Sequence, residues 1–211
     1  MMTFKSLKRW AVMAAMLGGI GTALLPQAEA QTAPRKILVA VSNQDIPNFD
    51  PHVATGYSAS ALLRNVYDAL VRVEGNPPQV KPHLAESFTV SPDGMEYVFK
   101  LDPKAKFNDG SPVTAEAVKY SFDRLTRLKK GNAWMIAGIV DENSVSVVDA
   151  KTVKIKLAKP FVAFPQVLPW LWIVNPALVE TNKGSDDGQT WLKSNIAGSG
   201  AFVLKRAEPG N

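Results

Sequence analysis

FNDGSPVTAEAVKYSF, residues 107 to 122, sets a turn signal and a proline directly ahead of an amphipathic run. Asn108-Asp109-Gly110 reads as a turn, because Asn and Asp hydrogen-bond their own backbone and Gly tolerates a positive φ. Thr114 stands in front of a helical run whose apolar residues are Val118, Phe122 and Leu125. A threonine there is an N-cap, its hydroxyl accepting an otherwise unpaired backbone N–H. Glu116 falls in the first turn, at the positive end of the helix dipole. Asp109 could instead be a catalytic carboxylate. Since every acidic residue of the stretch already has a structural task, it is read as turn and helix start.

Upstream, Phe88 to Val90 and Glu96 to Leu101 flank Ser91-Pro92-Asp93-Gly94, which places proline and glycine where a β-turn wants them. Tyr97, Phe99 and Leu101 alternate with polar neighbours, so one face of that strand is buried. Ser144 to Val148 and Thr152 to Leu157 form a second pair about Asp149-Ala150, with Val153, Ile155 and Leu157 inward and Lys154 and Lys156 outward. Before the first pair, Leu62, Leu63, Val66, Tyr67, Leu70 and Val71 recur at helical spacing from Ser58 on. Gly75 to Pro82, with three prolines, breaks that helix. Lys36 to Ser42 reads as a first strand and Asn43 to Pro51 as an irregular connection. Phe161 to Trp172 has no clean period, and Ala201 to Leu204 reads as a short strand after Gly198-Ser199-Gly200. Strand pairs with intervening helices give a mixed α/β fold, with a mixed sheet and flanking helices.

Lys5, Lys8 and Arg9 precede an uncharged run from Ala11 to Leu25, and Ala28-Glu29-Ala30 supplies small residues at the positions a signal peptidase reads. Residues 1–30 are therefore expected to be a cleaved signal peptide. The apolar run, interrupted by Gly18, Gly19 and Gly21, is short for a bilayer span of ~20 residues. The absence of cysteine removes disulfides, thiolate catalysis and Cys-bearing metal sites. The formal charge is +5, of which Lys5, Lys8, Arg9 and Glu29 contribute +2, leaving +3 for the mature chain. That is no nucleic-acid signature. The dense basic group Arg124, Arg127, Lys129 and Lys130 sits where a helix should end and complements its dipole.

The stretch HLAESFTVSPDGMEYVFKLDPKAKFNDGSPVTAEAVKYSFDRL resembles the signature region of the family-5 solute-binding proteins, the periplasmic dipeptide- and oligopeptide-binding components of ABC importers. Leu84 to Ser87, Asp93-Gly94, Phe99-Lys100-Leu101, Phe107 to Pro112 and Thr114 carry the likeness. Asn48 to His52, the helix bearing Asn65 to Asp68, and Gly198 to Leu204 extend it. Ala117 stands where the family usually has an Asp, which removes a capping box with Thr114. The resemblance implies a periplasmic-binding-protein type II-like fold. Residues 31–66 would open the first lobe, 67–177 form an inserted α/β subdomain, and 178–211 begin the return to that lobe. Members are far longer, so the chain is expected to be an N-terminal fragment or truncated product without the second, ligand-closing lobe.

The resemblance also implies a periplasmic, monomeric binding protein, without cofactor or metal, that hands a small peptide to an inner-membrane ABC permease. Nickel chelates, oligosaccharides, opines and haem are alternative ligands. A secreted hydrolase acting through surface carboxylates such as Asp109, or an inert fragment, are alternative functions. His52 and His83 are too scattered to suggest a metal site. Glu96 and Asp102 could form a glycosidase pair, but a solvated strand edge accounts for both. By the resemblance, Thr55, Gly56 and Tyr57 border the ligand, Gly56 allowing close backbone approach and Tyr57 forming a wall; the alternative is that they only introduce the helix. Trp134, after the Thr-capped helix, is the second candidate wall, and Trp170 and Trp172 are weaker ones. Exported protein should begin at Gln31 on N-terminal sequencing; a start at Met1 or Met2 would contradict the signal reading.

Overall fold

The computed structural model describes Ile46 and residues 48–207. The expected signal peptide and the strand expected at Lys36 to Ser42 lie outside the described residues. Four strands, β3 (Ala85–Val90), β4 (Glu96–Leu101), β5 (Val145–Asp149) and β6 (Thr152–Lys156), form a sheet in the order β3-β4-β6-β5. The Pro-Gly turn sets the first register, with Val90 opposite Tyr97 and Phe88 opposite Phe99. Phe99 in turn faces Val153, which faces Val147. Tyr97, Phe99, Leu101, Val153, Ile155 and Leu157 are all buried on one face, as the alternation requires. A small hairpin, β1 (Val71–Glu74) and β2 (Gln79–Pro82), lies ahead of the sheet in the chain. The mixed α/β class holds. Every strand pairing among the described residues is antiparallel, so the mixed sheet is not found within them.

Helix α2 (Ala115–Leu128) packs against β5 and β6. The Thr114 hydroxyl accepts from the Ala117 N–H at 3.2 Å, the cap expected from the sequence. Val118, Phe122 and Leu125 enter the sheet's apolar cluster, while Ser121 accepts from the Val174 N–H at 3.0 Å on another side. The basic group at the end of α2 is not a dipole complement alone. Arg124 is fully buried, Arg127 pairs with Asp187 at 3.1 Å, and Lys130 donates to Gln189 at 2.7 Å. Arg124 and Arg127 are also tied to Asp187 in the loop before a short helix, α5 (Gln189–Leu192), and Lys130 to the first residue of that helix.

Helix α1 (Tyr57–Val66) ends five residues before the periodicity suggested. Tyr67 turns extended, and residues 68–70 run between two neighbours: Leu84 donates to the Ala69 carbonyl, and Ile173 donates to that of Asp68. Leu70 and Val71 are buried as the pattern demands, but by these crossings and by β1 rather than in a helix. The strand expected at Ala201 to Leu204 does not form among the described residues. Its segment instead caps α1, the Gly200 N–H donating to Val66 O at 3.1 Å and the Phe202 N–H to Asn65 O at 3.0 Å. Phe161 to Trp172 resolves into α3 (Phe164–Val167) and a 3-10 turn at Leu168–Trp170; α4 (Pro176–Thr181) follows, capped by Asn175.

Among the described residues the apolar core falls into two clusters. One joins the sheet, α2, the 3-10 turn Gly131–Ile136, Phe164 and Leu168. The other joins Leu63, Val66 and Tyr67 with Trp172, Val174, Val179, Leu192 and Ala197. Gly198 seals the second cluster: a Cβ there would come 1.9 Å from the Val66 carbonyl oxygen and 2.9 Å from the Tyr67 ring. Neither backbone can give way without losing the α1 cap. Gly198→Ala is expected to destabilise the protein by about 1–3 kcal/mol, the usual cost of forcing atoms into a filled site. Denaturant unfolding checks this; an unchanged midpoint would contradict the packing.

Candidate functional site

The Asn48–Pro51 connection carries Asp50, whose side chain is completely buried. Its Oδ1 accepts from the His52 N–H at 2.9 Å and shapes the turn into α1. The Arg124 guanidinium reaches it as a fork, with Nη1 donating to Oδ1 at 2.9 Å and Nη2 donating to Oδ2 at 2.7 Å. Arg124 Nε donates to the Asp187 carbonyl at 2.9 Å. Arg124 Nη1 also lies 3.0 Å from His52 Nδ1, and His52 Nε2 lies 3.0 Å from the Trp172 carbonyl. Arginine can only donate, so Nδ1 accepts and the imidazole proton sits on Nε2, donating to Trp172. Burial, reinforced by the adjacent Arg124, pushes the His52 pKa down to about 4. The ring is therefore neutral at ordinary pH.

This knot positions the expected ligand-bordering segments. Gly131, with φ +52°, packs so closely on the loop that a Cβ would meet the His52 carbonyl oxygen at 2.8 Å. The turn Gly131–Ile136 is held further by Asn132, whose side chain donates to the Trp170 carbonyl at 3.0 Å. Thr55 lies three residues after His52, and Trp134 three residues after Gly131, so two segments remote in sequence start from one contact. Thr55, Gly56 and Tyr57 are exposed, Tyr57 at 86% and Trp134 at 72%. Gly56 has φ +97° with open space around it. No ring pairing among the described residues joins Tyr57 to Trp134. Trp134 lines a depression of ≈ 620 Å³ with Lys129, Gly138, Asp141 and Asn143; Thr55, Gly56 and Tyr57 are not part of its wall. Trp172 is core, and Trp170 is half-buried beneath Arg64.

The candidate carboxylates are occupied. Asp109 Oδ1 accepts from the Ser111 hydroxyl at 2.6 Å and N–H at 2.9 Å, and Oδ2 accepts from Asn175 at 2.7 Å. The Ser111 bonds, aided by Asn175, hold its pKa below the usual carboxylate range. Asp109 is thus a turn residue that also clamps the cap of α4. Glu96 pairs with Lys154 at 3.3 Å, and Asp102 accepts from the Lys104 N–H at 2.8 Å. His83 lies 2.8 Å from Asp68, whose other oxygen accepts from Ser199 at 2.8 Å. Among the described residues no cluster of His, Asp and Glu could hold a metal ion. The two histidines, unremarkable as a scattered pair, turn out to sit in separate polar junctions.

Residues 79–211 match the family model described as "Bacterial extracellular solute-binding proteins, family 5 Middle". The chain is 35% identical over 183 residues to the "Probable D,D-dipeptide-binding periplasmic protein DdpA" of Escherichia coli K12, covering 84% of this chain and 35% of that protein. It is 34% identical over 168 residues to the "Glutathione-binding protein GsiB" of the same strain, covering 77% of this chain and 31% of that protein. Among solved structures, the binding protein MoaA from A. tumefaciens R10 in complex with mannopinic acid superimposes with a TM-score of 0.67 at 30% identity, over 79% of this chain and 34% of that one. The chain thus spans about a third of the length of the curated relatives it matches. The architecture is that of the periplasmic-binding-protein type II-like substrate-binding domains.

The His52 environment has a pH signature. Its folded-state pKa, about 4, lies below the ordinary 6.5, so between these values the unfolded chain binds a proton that the folded chain does not. Stability should be full above pH ~6.5 and fall as pH drops towards ~4, by on the order of 3 kcal/mol at 1.36 kcal/mol per pH unit. His52→Gln, which keeps a donor for the Trp172 carbonyl, should flatten the slope between pH 6.5 and 5. Denaturant unfolding across that window checks it, and an identical slope in the variant would assign the effect elsewhere.

Proposed function

The chain belongs to family 5 of the bacterial extracellular solute-binding proteins, and from that premise we propose that it captures a small peptide-like ligand in the periplasm and delivers it to an inner-membrane ABC permease. Two relatives are named for a D,D-dipeptide and for glutathione, which supports the peptide class. The mannopinic acid complex keeps an opine in view as the alternative ligand. The role is binding, not turnover: the carboxylates considered for hydrolysis, Asp109, Glu96 and Asp102, are all engaged in turn or surface contacts.

Thr55, Gly56, Tyr57 and Trp134 border the ligand in this reading. The observation that carries it is the pair of large aromatic side chains left in solvent on segments anchored at the shared His52–Gly131 contact. An aromatic exposed to this degree has no packing role, and such residues concentrate at binding surfaces. Gly56, with its open left-handed backbone, would let an extended peptide main chain approach and pair without a side chain intervening. Residues 67–177 as an inserted subdomain, flanked by two segments of one lobe, belong to the same proposal; two apolar clusters support a division of this kind, although Tyr67, Ala69, Trp172 and Val174 pack with the flanking segments.

Calorimetric titration with dipeptide and tripeptide pools tests this. Tyr57→Ala and Trp134→Ala should each weaken binding by roughly tenfold, as for a buried aromatic anchor, without changing thermal stability. The peptide should be recovered intact. Affinity unchanged in both variants would remove these residues from the site, and hydrolysed peptide would restore the enzyme reading.

A further inference from the structure

A second cleft, of ≈ 380 Å³, opens at the C-terminal end of α1, away from Tyr57 and Trp134. Its volume falls within the ~300–1,000 Å³ typical of small-molecule sites. Arg64, Asn65, Asp68, Arg72, His83 and Trp170 supply its polar and aromatic lining, and the buried Tyr67 and Trp172 also line it. The Arg64 guanidinium lies 5.2 Å from the centre of the Trp170 ring, and its Nε donates to the Ser60 carbonyl at 3.3 Å. The ring contact and that bond hold the guanidinium at this wall of the cleft. Among the described residues no acceptor takes the remaining guanidinium N–H groups, and Arg64 makes no ion pair. Arg72, by contrast, is turned to Glu74 at 2.7 Å.

Asp68 supplies the opposite charge. One oxygen faces His83 and the other accepts from Ser199, both at 2.8 Å. A carboxylate offers about four acceptor positions, so two remain. Burial opposes its ionisation, but the His83 and Ser199 hydrogen bonds outweigh this and hold its pKa below the usual range. One cleft therefore holds an unpaired, oriented cation and an ionised carboxylate that do not pair with each other.

We infer that this cleft is a second binding site, for a small zwitterion such as a free amino acid or dipeptide, with Arg64 taking the carboxylate and Asp68 the ammonium group. The guanidinium fork matches a carboxylate in two parallel bonds, and the Trp170 face keeps the fork in place while the ligand exchanges. The site shares no residue with the Thr55–Tyr57 and Trp134 set, and its occupancy does not depend on that reading.

The test follows the Trp170 indole signal by NMR during titration of the purified chain with alanylalanine, with its N-acetyl derivative and with its C-terminal amide. Alanylalanine should shift the signal, and blocking either end should weaken the response about tenfold, as losing one charged hydrogen bond does. Arg64→Gln, at an exposed helical position, should weaken alanylalanine about as much while leaving the amide no weaker than before. Trp134→Ala should change nothing at Trp170. The inference is overturned by no response at Trp170, by a response indifferent to both end groups or to Arg64→Gln, or by one that Trp134→Ala abolishes. That last outcome would place the ligand at the Tyr57 and Trp134 set instead.

Discussion

Asp50 and Arg124 form a two-pronged ion pair with no solvent access on either side chain, and the arrangement around them depends on it. Burying two charges costs desolvation energy that their attraction only roughly offsets, so the pair adds little net stability over a well-packed apolar substitute. Its effect is positional. Arg124 has little freedom left once Asp50, the Asp187 carbonyl and His52 have taken four of its five N–H donors. Through those bonds the loop before α1, the middle of α2 and the loop before α5 share one set of coordinates. His52 passes the constraint on to Trp172, in a segment whose successive residues alternate between the two apolar clusters. Removing one partner alone would leave a buried charge uncompensated, at a cost of about 3–5 kcal/mol.

The surface features proposed for binding are built outward from this knot. The His52 carbonyl faces Gly131, so the turn carrying Trp134 is seated on the same loop that leads to Tyr57. A second junction, Ser199–Asp68–His83, joins the chain after α5 to the segment between α1 and β1 and to the link between β2 and β3. Gly198 and Gly200 lie against the last turn of α1 there, the Gly200 amide donating to the Val66 carbonyl and the Gly198 carbonyl accepting from the Asn108 N–H. Exposed aromatics thus stand on rigid supports rather than on free loops, which lowers the ordering cost when a ligand is held.

Local chemistry was legible in the sequence wherever it was local in space. The Ser91–Gly94 turn, the alternation of Tyr97, Phe99 and Leu101, and the Thr114 cap each depend on residues within a few positions, and each stands as expected. The motif order from Leu84 to Leu125 also sufficed to identify the family. What sequence could not display were partners far apart along the chain. Arg124 was assigned to the helix dipole because Asp50 lies 74 positions away. A signal for its burial was present, since Ala117, Ser121 and Arg124 fall on one side of α2 and the first two are too small to cover a neighbour. The end of α1 was misplaced for the same reason: the groups that terminate it, Gly200 and Phe202, come from the far end of the described chain.

Amide hydrogen exchange in Asp50→Asn, compared with the unmodified protein, tests the positional role most directly. If the ion pair sets the common frame, Val53 and Ala54, whose amides donate to the Asp50 carbonyl, should lose protection together with Ala133 and Val174. The β4–β6 amides of Phe99, Val153 and Ile155 should keep theirs. Protection unchanged at Val53, Ala54, Ala133 and Val174, or lost evenly across the whole chain, would contradict the account.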